Sequence, residues 1–159
     1  MSQLGYCLSR RVPFDPAYTA QLGAAVYVFA YYDWAIIYLI QQYQPSFVSR
    51  YSRGRPMTSA CVRKALKSIL SDQRTSYAKV SRPELQACCE QFSTLVDLRN
   101  ALTHAHPITK SDGSQALSYQ ARPDRPIPDM KWPSSEVESA LSKFDAAECG
   151  ANDLLHRHI

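Results

Sequence analysis

The chain has 159 residues, of which 45% are hydrophobic, 20% charged and 11% aromatic, and this balance excludes a disordered tail or a fibre and predicts one soluble globular domain. A domain of this size folds without disulfides or a metal, and its five cysteines, odd in number and without C-x-x-C spacing, favour a reducing cytoplasm over a secreted disulfide framework. The net charge of +4 is uneven, because residues 1–82 hold 11 basic and 3 acidic side chains whereas residues 83–159 hold 7 and 11.

The first predicted helix runs from Ala17 to Tyr43 and ends before Pro45. Asp33 falls within its apolar stripe, so this carboxylate needs a partner, either as structure or as part of a site. Residues 22–40 carry a single charge, a length that permits a membrane span, but a carboxylate at mid-depth among four tyrosines disfavours one. The same residues fit a buried core helix, whose stripe comprises Leu22, Val26, Phe29, Ile36 and Ile40.

Residues 45–57 are predicted to form a basic loop, followed by a second, amphipathic helix from Thr58 to Ser71. No acid occurs between Trp34 and Ser71, whereas six cations do. This pattern predicts a polyanion-binding surface, with a solvated basic face as the alternative. The six cations are Arg50, Arg53, Arg55, Arg63, Lys64 and Lys67.

A capping box of Ser81 and Glu84 predicts the start of a third helix, which ends near Pro107. Residues 108–119 contain a turn signal and predict a small hairpin, and the proline-rich residues 121–133 predict a connection without regular structure. A second capping box, Ser135 with Glu138, opens the last helix. The predicted fold is an all-α bundle of four to five helices in a single domain (1–159, core about 17–155), with a small irregular or hairpin insertion before the last helix.

The densest group of reactive side chains lies at the end of the third helix, where Arg99, Asn100, His104 and His106 follow one another closely. Arginine offers a charged fork that matches phosphate, and histidine exchanges protons near neutral pH. Five positions separate Arg99 and His104 by roughly 140° on a straight helix. Their convergence on one target therefore requires the helix to end, or two chains to pair with their clusters facing one another.

Arg99-Asn100 followed by His104 resembles the R-x4-6-H motif of the HEPN superfamily, in which the motif ends the third helix of a bundle and the first long helix often carries an acid. The resemblance implies a metal-independent, homodimeric endoribonuclease, as found in toxin–antitoxin modules and phage defence. Arg99 would bind phosphate, His104 would be the acid and base, and Asn100 and Asp33 would orient them. In one subgroup of the family a partner modifies a tyrosine at the position that His106 occupies here. We expect His106 to bind RNA together with the six cations.

Two other interpretations stay open. A non-catalytic HEPN-like module could bind RNA, nucleotides or a protein with the same helices, in which case Arg99 and His104 form only a structural helix end; a membrane-associated helical protein is the third. The pairs His104/His106 and His156/His158 lack a third metal ligand in sequence. We therefore expect no metal, and we expect no cofactor. The expected partners are RNA, a second copy of the chain and an antitoxin protein. We expect a cytoplasmic location and no association with a membrane.

Overall fold

A computed structural model describes residues 14–53, 57–121, 123 and 126–158. The described chain is mostly helical and carries a small antiparallel sheet with strand order β1-β2-β3. The prediction of an all-α bundle with a small hairpin insertion is therefore right for the helices and for two of the strands, and wrong in omitting the third strand of the sheet. The elements are α1 (Pro16–Tyr43), α2 (Phe47–Arg53), α3 (Ser59–Ser71), α4 (Arg82–Thr103), β1 (His106–Thr109), β2 (Gln115–Tyr119), β3 (Met130–Trp132) and α5 (Ser134–His156).

Helix α1 is the centre of the core. Asp15 caps it by accepting hydrogen bonds from the backbone N–H groups of Ala17 and Tyr18, so it starts one residue earlier than predicted. The Phe29 ring meets Phe144 of α5 with centroids 5.1 Å apart. Val26 was predicted to face inward, and this is wrong, since its side chain is 46% exposed.

The outer face of α1 carries exposed aromatic side chains at Tyr27, Tyr31, Trp34 and Tyr38. Among the described helices α1 alone is long and apolar enough to cross a membrane by length and composition, and 44% of its apolar window is buried inside the fold. The buried share shows that α1 packs as a core helix in this structure, since its other face covers the bundle interior.

The prediction of a loop over residues 45–57 is wrong for Phe47–Arg53, which form the short helix α2. Its position depends on contacts outside the segment. Phe47 is buried in the core, and the backbone N–H of Val48 donates to Gln41 Oε1 on α1 at 2.9 Å. Ser46 adopts φ 70° at the turn before α2, a backbone conformation that links the two helices closely.

The predicted start of α4 is confirmed, because Ser81 and Glu84 form the reciprocal capping box. The second predicted capping box is wrong. Helix α5 begins one residue earlier than Ser135, with Pro133 at the N-cap and without a side-chain cap. The Ser134 hydroxyl instead donates to Gln21 Oε1 of α1, so a contact between helices replaces the local cap.

The predicted hairpin is confirmed as β1 and β2, whereas β3 lies in the segment that we expected to lack regular structure. Leu117 of β2 pairs with Trp132 of β3, whose side chain is only 1% exposed. The Tyr18 hydroxyl of α1 donates to the Trp132 carbonyl at 2.5 Å. Burial of one large side chain and one long-range hydrogen bond therefore anchor a three-residue strand beside Pro133.

Replacing Tyr18 with phenylalanine is expected to lower the free energy of unfolding by about 1–3 kcal/mol, because the buried Trp132 carbonyl loses its donor. Chemical denaturation of the purified protein measures this change. Tyr27→Phe is the matched control on the exposed face of the same helix. Equal stability of the two variants would show that the Tyr18 hydrogen bond does not anchor the sheet.

Candidate functional site

Arg99 turns away from solvent and into the bundle from the last turns of α4. Its Nη2 donates to the Ser59 hydroxyl of α3 at 2.6 Å. Its Cζ lies 4.8 Å from the centroid of the Phe29 ring on α1, a distance suited to a cation–π contact. Two helices therefore fix the guanidinium, one through a hydrogen bond and the other through an aromatic face.

Ser59 connects Arg99 to the acid that the sequence singled out. Its hydroxyl donates to Asp33 Oδ2 at 3.0 Å while it accepts from Arg99. Ser59 is the first residue of α3 and is only 5% exposed. The structure thus brings the predicted pair of Asp33 and Arg99 together through a third residue, in a relay Asp33–Ser59–Arg99 that joins α1, α3 and α4.

The hydrogen bond and the charge around Asp33 offset only part of the cost of burying this carboxylate. Burial raises the pKa of Asp33, and the Ser59 hydrogen bond and the Arg99 charge oppose that rise only in part. Asp33 Oδ1 and Arg99 Nε are buried and have no hydrogen-bond partner within the described residues. A half-buried carboxylate whose pKa is raised and which is linked to an arginine through a hydroxyl is a candidate functional centre, so the relay is our candidate centre of a site.

His104 lies at the other end of the cluster and faces solvent. Helix α4 ends at Thr103, and His104 is its C-cap, with its backbone N–H donating to the Asn100 carbonyl at 3.0 Å. The helix therefore does end between the two predicted catalytic residues. Their side chains nevertheless diverge, since Arg99 points inward and His104 is exposed, and no hydrogen bond between described residues joins them.

The other two members of the cluster, Asn100 and His106, lie near the end of α4. Asn100 is half-buried on the last turn of α4, next to the Arg99 that it was predicted to orient. His106 is exposed and opens β1, where it pairs with Ser118 of β2. Both therefore stay close to the end of α4, and the hairpin that follows fixes the direction in which the chain leaves the site.

The predicted basic surface is only partly available. Arg63 pairs with Asp97 of α4, with Nη1 and Oδ2 3.3 Å apart and side chains 25% and 15% exposed. The expectation that Arg63 faces outward is therefore wrong, since α4 places an acid against it. Arg55 lies outside the described residues. The exposed members of the set are Arg50, Arg53, Lys64 and Lys67.

Among the described residues there is no group of three or more His, Cys, Asp or Glu side chains that could hold a metal ion. The chain matches no protein-family model, no curated protein and no solved structure. The chemical groups of the candidate site are the relay Asp33–Ser59–Arg99 between α1, α3 and α4, and the exposed His104 at the end of α4.

Proposed function

We propose that the protein is a HEPN-like, metal-independent endoribonuclease of the cytoplasm, acting as a homodimer and serving as a toxin or defence effector that an antitoxin protein restrains. The observation that carries the proposal is the relay, which fixes the Arg99 guanidinium through Ser59 on the helix that ends at an exposed imidazole. An immobilised guanidinium is suited to stabilising charge on a phosphoryl group. Asn100 and Asp33 act as positioning residues for it.

The proposed reaction is a transesterification within RNA. The 2′-OH attacks the adjacent phosphorus, the bond from phosphorus to the 5′-oxygen breaks, and the products are a 2′,3′-cyclic phosphate and a 5′-OH. One group removes the proton from the 2′-OH and another protonates the leaving oxygen. Attacking and leaving oxygens lie on opposite sides of phosphorus, so one His104 from each copy of a homodimer supplies both functions, and this requirement favours the dimer.

The direct test is incubation of single-stranded RNA in EDTA with the wild-type protein and with the Arg99→Ala/His104→Ala double variant. We expect only the wild type to give products that end in a 2′,3′-cyclic phosphate and begin with a 5′-OH. Cleavage that requires an added divalent cation, or equal cleavage by both proteins, would contradict the proposal. The double variant removes both groups, so it also reveals any contaminating nuclease.

A non-catalytic RNA-binding or protein-interaction module is the second candidate, and one observation favours it. Arg99 Nη2 is already bonded to Ser59 and the His104 side chain lies apart from it. In that case the relay only stabilises the bundle. RNA binding without cleavage, unchanged in the double variant, would support this alternative.

The exposed cations predict salt-dependent binding. Charge reversal of Arg50, Arg53 and Lys64 should weaken RNA binding and flatten the plot of log affinity against log salt, since each phosphate contact on a single strand contributes about −0.7 to the slope. Three lost contacts lower the magnitude of the slope by up to about 2. Filter binding or fluorescence anisotropy over a salt series measures it.

The matched control reverses three exposed lysines elsewhere in the fold: Lys79, Lys131 and Lys143. It changes the net charge equally but leaves α2 and α3 intact. If both triple variants lose affinity and slope to the same extent, the effect comes from net charge, and the basic surface of α2 and α3 has no specific role.

A further inference from the structure

Two of the exposed cations stand at the edge of an apolar cavity between α2 and α3. The cavity has a volume of about 380 Å³. Its lining is mainly apolar and includes Phe47, Met57 and Ala65, with Arg50 and Lys64 contributing the charged groups. None of the described residues that line it is a carboxylate, although acids are common elsewhere on the described surface. A positively charged edge around an apolar floor suits a flat, apolar ligand that carries negative charge beside it.

The polar side chains in the lining are already bonded to groups of the protein. Gln44 and Ser68 belong to the lining, and Gln44 Nε2 donates to Ser68 Oγ at 3.2 Å. Ser68 Oγ donates in turn to the Ala65 carbonyl at 2.7 Å, and Gln44 Oε1 accepts from Arg50 Nη2 at 3.4 Å. The cavity therefore offers a ligand its apolar floor and its two cations rather than free hydrogen-bonding groups.

We propose that this cavity binds an unpaired nucleobase of single-stranded RNA, with the face of the base on the apolar floor and the adjoining phosphates on Arg50 and Lys64. The inference rests on RNA being the ligand of the proposed function and assigns the form of RNA that it takes. A base in a duplex is stacked and paired and cannot enter without being extruded. The cavity therefore selects single strands, loops and ends.

The cavity is separate from the relay that holds Arg99. Ser59, which holds Arg99, is buried, whereas Cys61, which lines the cavity, is exposed, and the two are two residues apart on the first turn of α3. Two positions correspond to about 200°, so they lie on opposite sides of the helix. The cavity is therefore a binding site of its own, and its test does not involve Arg99.

Cys61 provides a direct probe of occupancy. It is an exposed cysteine, and the Thr58 hydroxyl donates to its Sγ at 3.6 Å, which lowers the pKa of the thiol and favours alkylation. Cys149 is an exposed cysteine on α5, remote from the cavity lining. Mass spectrometry of the iodoacetamide-treated protein reads both sites in one sample, so Cys149 serves as the internal reference.

The ligand for this test is a non-cleavable, mixed-sequence single-stranded decanucleotide with 2′-O-methyl riboses. At ten times its dissociation constant we expect it to slow alkylation of Cys61 about tenfold and to leave Cys149 unchanged. The same strand in a duplex and inorganic polyphosphate should protect Cys61 far less. Equal protection by polyphosphate would overturn the proposal, because it would show that only charge is recognised.

A substitution that fills the cavity gives a second measurement. Ser68→Trp is expected to weaken binding of the single-stranded oligonucleotide about tenfold, the scale of one lost base–protein stacking contact. Ser71→Trp is the control at another exposed serine of α3. An unchanged dissociation constant for Ser68→Trp would overturn the proposal. Protection of Cys61 that increases with protein concentration in the absence of RNA would also overturn it, because it would show that a second copy of the chain covers the cavity.

These measurements separate the cavity from the ribonuclease proposal, because the oligonucleotide cannot be cleaved and neither readout depends on catalysis. Selective protection of Cys61 in a protein that never cleaves RNA would support the cavity and reject the nuclease. Cleavage by a protein whose Cys61 stays fully reactive would support the nuclease and reject the cavity.

Discussion

Replacing His104 with alanine is expected to lower the rate of RNA cleavage at least ~10²-fold, the usual loss when a general acid or base is removed, and to leave the thermal unfolding midpoint unchanged. The side chain is exposed at the C-cap of α4, and the hydrogen bond of this residue to Asn100 is made by its backbone. Alanine keeps that bond. Rate measurements in EDTA together with thermal melts separate the loss of chemistry from a loss of folding.

Arg99→Ala is expected to lower the rate by a similar factor, about 10²–10³ for the loss of a charge-stabilising donor, but also to destabilise the fold. Its removal leaves the buried Ser59 and Asp33 without their cationic partner. Arg99→Lys keeps the charge without the planar fork, so it should recover stability better than activity.

His106→Ala is the matched control for the histidine, since it removes a second exposed imidazole two residues further along the chain. We expect this variant to retain cleavage chemistry and to change only RNA affinity. If His104→Ala and His106→Ala both cleave at the wild-type rate, the proton-transfer role of His104 is refuted and the relay is left as a structural feature.

The start of α4 and the end of α1 could be predicted from sequence because they are set locally, whereas the start of α5 was not. The Ser81–Glu84 capping box starts α4, and Pro45 follows the end of α1. The two elements that escaped prediction depend on distant residues instead. Helix α2 requires Gln41 to accept from Val48, and strand β3 requires Tyr18 to bond to Trp132, contacts that no local pattern encodes.

The residues of the candidate site also divide into those that the local sequence identifies and those that only the fold identifies. Asp33 was found because a charge in an apolar stripe is conspicuous in the sequence, and Arg99 because it belongs to the densest group of reactive side chains. Ser59 was missed because serines are common and nothing in sequence distinguishes this one until the fold places it between two charged side chains. Arg63 was assigned to the outer surface because its own helix permits that, but Asp97 on α4 holds it.

Asp33 makes stability depend on pH in a direction opposite to that of most carboxylates. Burial raises its pKa in the folded state above the value of about 3.9 expected when unfolded. Ionisation therefore opposes folding: the stability contributed by Asp33 is fully present below the unfolded pKa and is lost as pH rises through the folded pKa. Asp33→Asn cannot titrate, so its stability relative to wild type should increase from pH 4 to pH 7.

Urea denaturation of both proteins at several pH values measures this difference, which isolates Asp33 from the exposed carboxylates that titrate identically in the two proteins. A difference that is constant with pH would show that Asp33 is not buried beside Ser59 in solution. The comparison does not depend on catalysis, so it tests the relay even if the nuclease proposal fails.

Ser59→Ala should cost about 1–3 kcal/mol, because Asp33 Oδ2 and Arg99 Nη2 both lose a buried partner, whereas Ser71→Ala on the exposed side of α3 should cost little. The Ser59 hydrogen bond lowers the pKa of Asp33, so its removal should raise that pKa further and move the pH-dependent loss of stability to higher pH. In the Asp33→Asn background, Ser59→Ala should change the free energy of unfolding by the same amount at every pH, since the charge that Ser59 stabilises is gone. Additive effects of the two substitutions at every pH would show that Ser59 and Asp33 are energetically independent, and the position of Arg99 would then need another explanation.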